Sequence, residues 1–460
     1  LRKAHRRLGA FLISWRRLLD KAFLKTKTRF SWNAGPMADA KTFRSGERRI
    51  DPATDSALLL QRMGFFTLGV ALPITAMMSR RAAVVLAPVG VALLVIAALL
   101  SEPERFVRSL RRRSLKLTTL ALALLTGWVF LSSSWAPRGA FQVDRGFNLL
   151  FALALGALAI AALPERMRAA NINALAVGAG IATVVAALSQ ATGYGLGDAE
   201  DDVTVLARGL SLVLILLGPL LAWLLSRGRA RGAACLFLAA ALCALLVRDA
   251  ALMASLAAGA AAFGLVVASR GRISRPLATL GAVLVLATPL AAFAGPPILS
   301  ALGAAGGELA TTLANWRAVI APQPIKLMTG HGFGALLASA AAAAPPLPQS
   351  ILVTIWHELG LVGALAFAAA LFLAMRAAAA LPAVVQGGVI AAYVTALGCG
   401  VLGLASFRAW WLMTLVTAVI LIAAIARGQA RTDRPLARFV ATQEVGAHKP
   451  GTRPSMPLQG

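Results

Sequence analysis

The sequence predicts an all-α, polytopic membrane protein with about twelve transmembrane helices, and three observations predict it. Of 460 residues, 59% are hydrophobic and only 14% are charged, whereas soluble domains sit near about a quarter charged. The mean hydropathy is +0.77. The apolar residues come in repeated blocks of about twenty, the length that crosses a ~30 Å hydrocarbon core at ~1.5 Å per residue. Backbone facing lipid must hydrogen-bond within its own segment, so each block reads as a helix.

In chain order the first six blocks are Phe65–Met78, Ala82–Leu100, Leu117–Trp135, Phe147–Leu163, Ile172–Ala191 and Val203–Leu225. The last six are Ala230–Val247, Ala250–Ala268, Pro276–Ala294, Ile351–Met375, Ala383–Ala405 and Trp410–Ala426. The first is short and opens beside Gln61 and Arg62. Several blocks are rich in Ala and Gly, as over Ala257–Gly264, and small residues let helices approach closely in lipid. The chain thus divides into a basic N-terminal segment (1–59), a transmembrane domain (60–428) and a polar, Pro-containing tail (429–460) read as disordered. The longest linker, 295–350, joins the ninth and tenth helices and reads as a partly ordered cap with short helices over Ile298–Leu313 and Ala335–Ala344.

A formal net charge of +27 would suggest nucleic acid in a soluble protein. Here the Lys and Arg residues lie in short linkers, where they fix topology, so membrane lipid and not nucleic acid is the expected partner. With the N-terminus cytoplasmic, the linkers on that side hold Arg105, Arg108, Arg111, Arg227, Arg229, Arg231, Arg270, Arg272, Arg275 and Arg376. The opposite side holds fewer cations and the acids Asp198, Glu200, Asp201 and Asp202. An even number of spans returns the C-terminus to the cytoplasm, and the expected location is a bacterial inner membrane. The N-terminal segment shows no cleavable signal peptide. Leu8–Leu24 is amphipathic and offers one reading, an interfacial helix, but the expected reading is that residues 1–36 are not translated and the protein starts at Met37. Cys235, Cys243 and Cys399 lie inside apolar blocks without metal-ligand spacing, so neither a metal nor a cofactor is expected.

Chemistry-bearing residues concentrate in the cap. It reads Asn315-Trp316-Arg317, then Lys326, then Gly330-His331-Gly332-Phe333-Gly334, and the following helix carries Trp356-His357-Glu358-Leu359-Gly360 and Gly363. In this order the chain resembles the O-antigen ligase and polymerase superfamily, integral-membrane glycosyltransferases that use polyprenyl-diphosphate-linked glycans. Ser134-Trp135-Ala136-Pro137 with Arg145, and Arg248 before a small-residue helix, resemble two further elements of that family. The family's His-Asn pair would fall at Pro348 and Gln349, neither of which acts as a base, so the chain resembles a divergent member.

The resemblance implies a glycan donor on polyprenyl diphosphate, an acceptor on lipid A-core or polysaccharide, and transfer on the periplasmic face. Arginine suits a diphosphate because it stays charged and bonds phosphate bidentately. On that expectation Arg248, Arg317 and His331 carry catalysis, with His331 the one histidine in the cap able to serve as base. Arg208, Lys326 and Trp316 would bind the diphosphate and glycan, with Arg248 and Arg317 converging beneath the cap near Arg208. Gly330, Gly332, Gly334, Glu358 and Gly360 form a structural motif, in which Glu358 satisfies backbone groups of the glycine-rich loop. Each has a plainer reading too: an interfacial Arg248 that snorkels, an Arg317 that anchors a loop helix, and a His331 that merely occupies a turn. Trp410 and Trp411 read as an interfacial aromatic belt. A non-catalytic relative that binds lipid-linked glycan or envelope-assembly partners is the alternative function. A transporter is disfavoured because the apolar blocks hold no chain of carboxylates for ion coupling.

The topology is testable directly. Reporter fusions after Arg229, Gly271 and Arg427 are expected to report cytoplasm, and a fusion at Ala321 the opposite compartment; a cytoplasmic Ala321 overturns the arrangement.

Overall fold

The computed structural model describes residues 52–114, 117–137, 139–165, 167, 169–192, 202–301, 308–323, 325–336, 350–404 and 408–429. Among these residues there is no strand, and twelve helices are long and apolar enough to cross a membrane. The architecture is that of a polytopic α-helical membrane protein. The first helices are α1 (Ala53–Ala76), α2 (Ala82–Ser101), the short α3 (Pro103–Ser114), α4 (Leu117–Ser132) and α5 (Gly139–Ala162). Then come α6 (Ala169–Thr192), α7 (Asp202–Ser226), α8 (Ala230–Val247), α9 (Ala250–Ala268) and α10 (Ser274–Ala301). The cap contributes α11 (Glu308–Ile320) and α12 (Lys326–Thr329), and α13 (Ile351–Ala377), α14 (Ala383–Val401) and α15 (Ala409–Gln429) complete the bundle. All but α3, α11 and α12 are spans.

Three elements differ from the sequence expectation. The first span begins at Ala53 rather than Phe65, so Gln61 and Arg62 lie inside the helix. Pro52 opens that helix and Asp55 lies in its first turn, where a fixed φ and a negative charge both favour initiation. Further along α1, a π-helical turn over Thr67–Ala71 precedes Pro73, whose missing N–H disturbs the regular ladder. The basic stretch after α2 is not a bare linker: it forms α3, with Phe106 buried in the main core and Arg108 and Arg111 exposed. Finally, α10 continues past Ala294 to Ala301 through Pro289, Pro296 and Pro297, so the cap helix starts at Glu308 rather than Ile298. Of the second expected cap helix only Ala335 and Leu336 are described, both buried. Its remainder with Pro348 and Gln349, the Leu8–Leu24 helix, Met37, the acids Asp198, Glu200 and Asp201, and the tail beyond Gln429 lie outside the described residues.

The centre of the bundle is α7, whose residues Leu210, Val213, Ile215, Leu220 and Trp223 are fully enclosed. It packs against α1, α8 and α14, and α14 in turn packs against α9. Glycines set these crossings. A Cβ at Gly218 would come within 2.7 Å of the Gly388 carbonyl oxygen on α14, and one at Gly178 on α6 would overlap the Gly69 carbonyl of α1. In lipid there is no hydrophobic drive between helices, so close van der Waals approach of small residues is what holds them.

Gly178→Leu is therefore expected to force α1 and α6 apart. Overpacking costs about 1–3 kcal/mol, so the thermal unfolding midpoint in detergent should fall by several degrees; an unchanged midpoint would show that this crossing has slack.

Candidate functional site

The site is organised by a break in a spanning helix. Gly360 in α13 adopts φ 63° and ψ −160°, non-helical values inside an otherwise continuous helix. A break of this kind strands backbone carbonyls, and each must find a donor. Three consecutive carbonyls do so from outside the helix. His357 O accepts from the His331 N–H at 2.8 Å and Glu358 O from the Gly332 N–H at 3.1 Å. Leu359 O accepts from the Trp128 indole Nε1–H of α4 at 2.8 Å. The Gly330–Gly334 loop thus plugs into the gap, and Phe333 anchors it in the core with 1% exposure. Glycine is required at the contact: Gly330 has φ 77° and a Cβ there would overlap the Glu358 carbonyl, while a Cβ at Gly360 would lie 2.5 Å from the Gly330 nitrogen.

Glu358 and the two histidines follow from this docking. The Glu358 carboxylate is buried and accepts from the backbone N–H of Leu336 at 3.3 Å, with the Gly334 backbone also donating to it. The carboxylate therefore holds the far end of the loop while the helix carbonyls hold the near end. The His331 and His357 rings stack in parallel, with centroids 4.1 Å apart and an interplanar angle of 6°. His331 Nδ1 lies 3.0 Å from His357 O. A carbonyl can only accept, so Nδ1 carries the proton and Nε2 of the neutral ring carries the lone pair. His357 Nδ1 is buried with no hydrogen-bond partner among the described residues.

At the same end of the bundle, here the cap end, arginines gather. Arg208 of α7 lies over the Trp410 ring of α15, its guanidinium carbon 5.4 Å from the ring centroid. Arg408 stands within electrostatic reach of both Arg208 and Arg145, and Arg80 within reach of Arg208. Arg145, on α5, also feels the Glu358 carboxylate. Arg80, Arg208, Gly209, Trp410 and Thr414 line a narrow cleft of about 10 Å³. Four cations so placed repel one another, and the repulsion is stronger the further they sit from bulk water. An anion among them would relieve that repulsion.

The residues singled out from sequence fall into two groups. Arg208, His331, Gly330, Gly332, Gly334, Glu358 and Gly360 all belong to this region. Arg248 is exposed in the α8–α9 turn, in a left-handed conformation with φ 55°. Arg317 is exposed on α11, which packs on α10 and α13. Among the described residues no hydrogen bond or ion pair joins Arg248 to Arg317, and the cations near Arg208 are Arg80 and Arg408. Trp316 is buried against Ala292, Ile320 and Val353 rather than presented to a ligand. Lys326 opens α12 and its carbonyl accepts from the Gly330 N–H at 2.7 Å. Trp410 and Trp411, expected in an interfacial belt, are both buried in the core. Sequence reasoning did not assign a role at the site to Arg80, Arg408 or Trp128; the available signal was their common position at one end of three different spans.

Among the described residues no three His, Cys, Asp or Glu side chains converge as a metal-ligand set. No family model matches the chain, and neither does a curated protein or a solved structure.

Trp128→Phe keeps the ring but removes the donor to Leu359 O. A lost bond to a buried carbonyl costs about 1–3 kcal/mol. Hydrogen exchange of the 330–336 amides is expected to rise by tenfold or more, with the rest of the bundle unchanged; exchange that stays at the wild-type rate would mean that the indole is dispensable.

Proposed function

We propose that the chain is a divergent glycosyltransferase of the O-antigen ligase and polymerase type, transferring a glycan from a polyprenyl-diphosphate carrier to an acceptor hydroxyl. In this reading the cap end faces the periplasm of a bacterial inner membrane and the acceptor is lipid A-core or polysaccharide. The observation that carries the reading is the electrostatic chain that runs from Arg80 to Arg208, Arg408 and Arg145 and reaches, through Arg145, Glu358, the neighbour of the stacked His357. A diphosphate would relieve the repulsion among these guanidinium groups, and a donor anchored by a lipid chain would arrive at this depth. The order of glycine, histidine and Glu-Leu-Gly elements along the chain supports the same reading.

The chemistry asks little of the protein beyond position and charge. The acceptor oxygen attacks the anomeric carbon, the bond from that carbon to the diphosphate breaks, and the diphosphate leaves with the electron pair. His331 Nε2, which bears the lone pair, takes the acceptor proton; general bases of this kind contribute about 10²–10⁴-fold. The arginines hold the diphosphate and stabilise the charge it gains. Arg208, fixed over Trp410, is the best placed of them.

In a transfer assay with purified protein and a polyprenyl-diphosphate-linked glycan, Arg208→Ala and His331→Ala are each expected to lose at least about tenfold, a conservative figure for a charged or acid–base group. Arg208→Lys should restore little, since the bidentate fork is gone. Arg248→Ala and Arg317→Ala, both exposed and neither among the cations that Arg208 or Arg145 feels, should stay within about threefold of wild type. Wild-type protein that retains the glycan lipid without transferring it would favour the alternative, a non-catalytic relative; activity indifferent to Arg208 and His331 removes the proposed mechanism.

A further inference from the structure

The two cap helices do not stand clear of the membrane level. A Cβ at Gly295 of α10 would lie 2.5 Å from Leu313 Cδ1 of α11. Further back along α10, Ala292 packs with Trp316 and Ile320 of α11 and Val353 of α13. Residue numbers rise on α11 as they fall on α10, so α11 runs back down beside that span. Leu327 of α12 packs against the same cluster and against that of Val285, Ile355 and Trp356. A Cβ at Gly360 of α13 would lie 2.7 Å from the Met328 carbonyl oxygen. Exposed Arg275 and Arg376 mark the other ends of α10 and α13, and those ends are level, because Ala278 and Met375 share one cluster. At ~1.5 Å per residue, Ala292 lies about 25 Å beyond Arg275 and Gly360 about 24 Å beyond Arg376. A hydrocarbon core is ~30 Å thick, so both contacts fall about 5 Å inside its edge.

At this level two large apolar side chains point outward: Ile325 is 85% exposed and Met328 58%. The Met328 N–H donates to the Ile325 carbonyl at 3.1 Å, so the pair sits one helical turn apart on a shared face, while Leu327 packs inward. The backbone of the turn is satisfied, with the Lys326 N–H donating to Gln323 O at 3.0 Å and the Gly330 N–H to Lys326 O at 2.7 Å, as surroundings poor in water require. On α10, beside Ala292, Leu290 is also exposed, by 71%, as a lipid-facing residue of a span should be. Exposed Arg317 and half-buried Lys326 flank the pair in sequence, and such side chains lay their stems along apolar surface while the charge reaches the head groups. Asn315, Gln323 and Thr329 are exposed as well, which limits the segment to the interface, since unsatisfied polar groups are costly deeper in.

We propose that α11 and α12 form an interfacial anchor, in which Ile325 and Met328 contact the acyl chains of phospholipids in the leaflet at the cap end. Depth decides the occupant. Amphipathic segments at a membrane surface sink their apolar side about 5–10 Å into the boundary of head groups and acyl chains, the level at which α12 meets α13. A water-borne partner would have to pass below the head groups to reach the same side chains. The anchor runs directly into the Gly330–Gly334 loop, because Lys326 O accepts from the Gly330 N–H. Lipid contact at Ile325 and Met328 therefore steadies the segment that positions His331, whether or not the cap end transfers glycan.

The test uses the full chain in phosphatidylcholine vesicles. Cys235→Ala removes the exposed thiol, and Cys243 and Cys399 are buried. Nitroxide labels are attached singly at Ile325→Cys, Met328→Cys, Leu290→Cys and Ser300→Cys. Leu290 serves as the lipid-facing reference. Ser300, exposed and about 38 Å beyond Arg275 along α10, serves as the aqueous one. Collisions with oxygen, which concentrates in hydrocarbon, are compared with collisions with a neutral, water-soluble nickel chelate. Labels at 325 and 328 are expected to match Leu290, with an oxygen-to-nickel ratio several-fold above that at Ser300. Nickel access equal to that at Ser300 would place the turn in water and overturn the proposal. Access by neither reagent would mean that protein covers Ile325 and Met328, and would overturn it equally.

Discussion

Backbone carbonyls released inside an apolar helical bundle have no water to turn to, and each unsatisfied one costs on the order of several kcal/mol. Much of the cap-end architecture follows from that constraint. The break at Gly360 exposes the carbonyls of His357, Glu358 and Leu359, and the protein meets them with two loop amides and one indole. The same logic operates at Pro289 in α10. Proline has no N–H to offer the carbonyl four residues earlier, and Val285 O instead accepts from the Trp356 indole at 2.7 Å and the Thr288 hydroxyl at 3.1 Å. Two tryptophans thus act as hydrogen-bond donors as well as bulk, which fits their preference for sites with both apolar contact and a polar partner.

Once the glycine loop is committed to α13, the position of His331 is set. Its amide and its ring both address His357 O, and the ring lies flat on the neighbouring imidazole. Glu358 fixes the loop from the other end by accepting from backbone. Glu358 is therefore tied into the fold, and rigid placement of His331 is the outcome. The arginines reach the same region from elsewhere: Arg80 from the α1–α2 turn, Arg145 from α5, Arg208 from α7 and Arg408 from the start of α15. A site assembled from four separate elements depends on the crossings that hold them, which is where the small residues of α6, α7 and α14 act.

The two ends of the bundle use arginine differently. At the cap end, cations crowd one another around a cleft with Glu358 as the nearby acid. At the opposite end they are spent on structure: Arg427 donates to the carbonyls of Ile160, Leu163 and Pro164 at the end of α5, and Arg227 stacks 4.4 Å over Trp223 while reaching the Gly428 carbonyl. Arg105 is paired with acids. Which cations meet therefore marks the candidate site more clearly than the total charge does.

Composition and block length alone determined that this chain is a helical membrane protein with twelve spans, because a hydrocarbon slab imposes one length and one secondary structure on any backbone crossing it. Sequence order also marked the glycine-rich loop and the Glu-Leu-Gly helix, since positive φ and close backbone approach leave few other residues available. What sequence could not supply was which arginines meet. Arg208 and Arg408 are two hundred positions apart, and Arg80 lies further still toward the N-terminus; only the packing of α1, α7 and α15 brings them together. Arg248 and Arg317 stand exposed, one in the α8–α9 turn and the other on α11. The amphipathic α3 was hidden in plain composition, because a run of arginines reads as a linker until Phe106 is seen to find a pocket in the core.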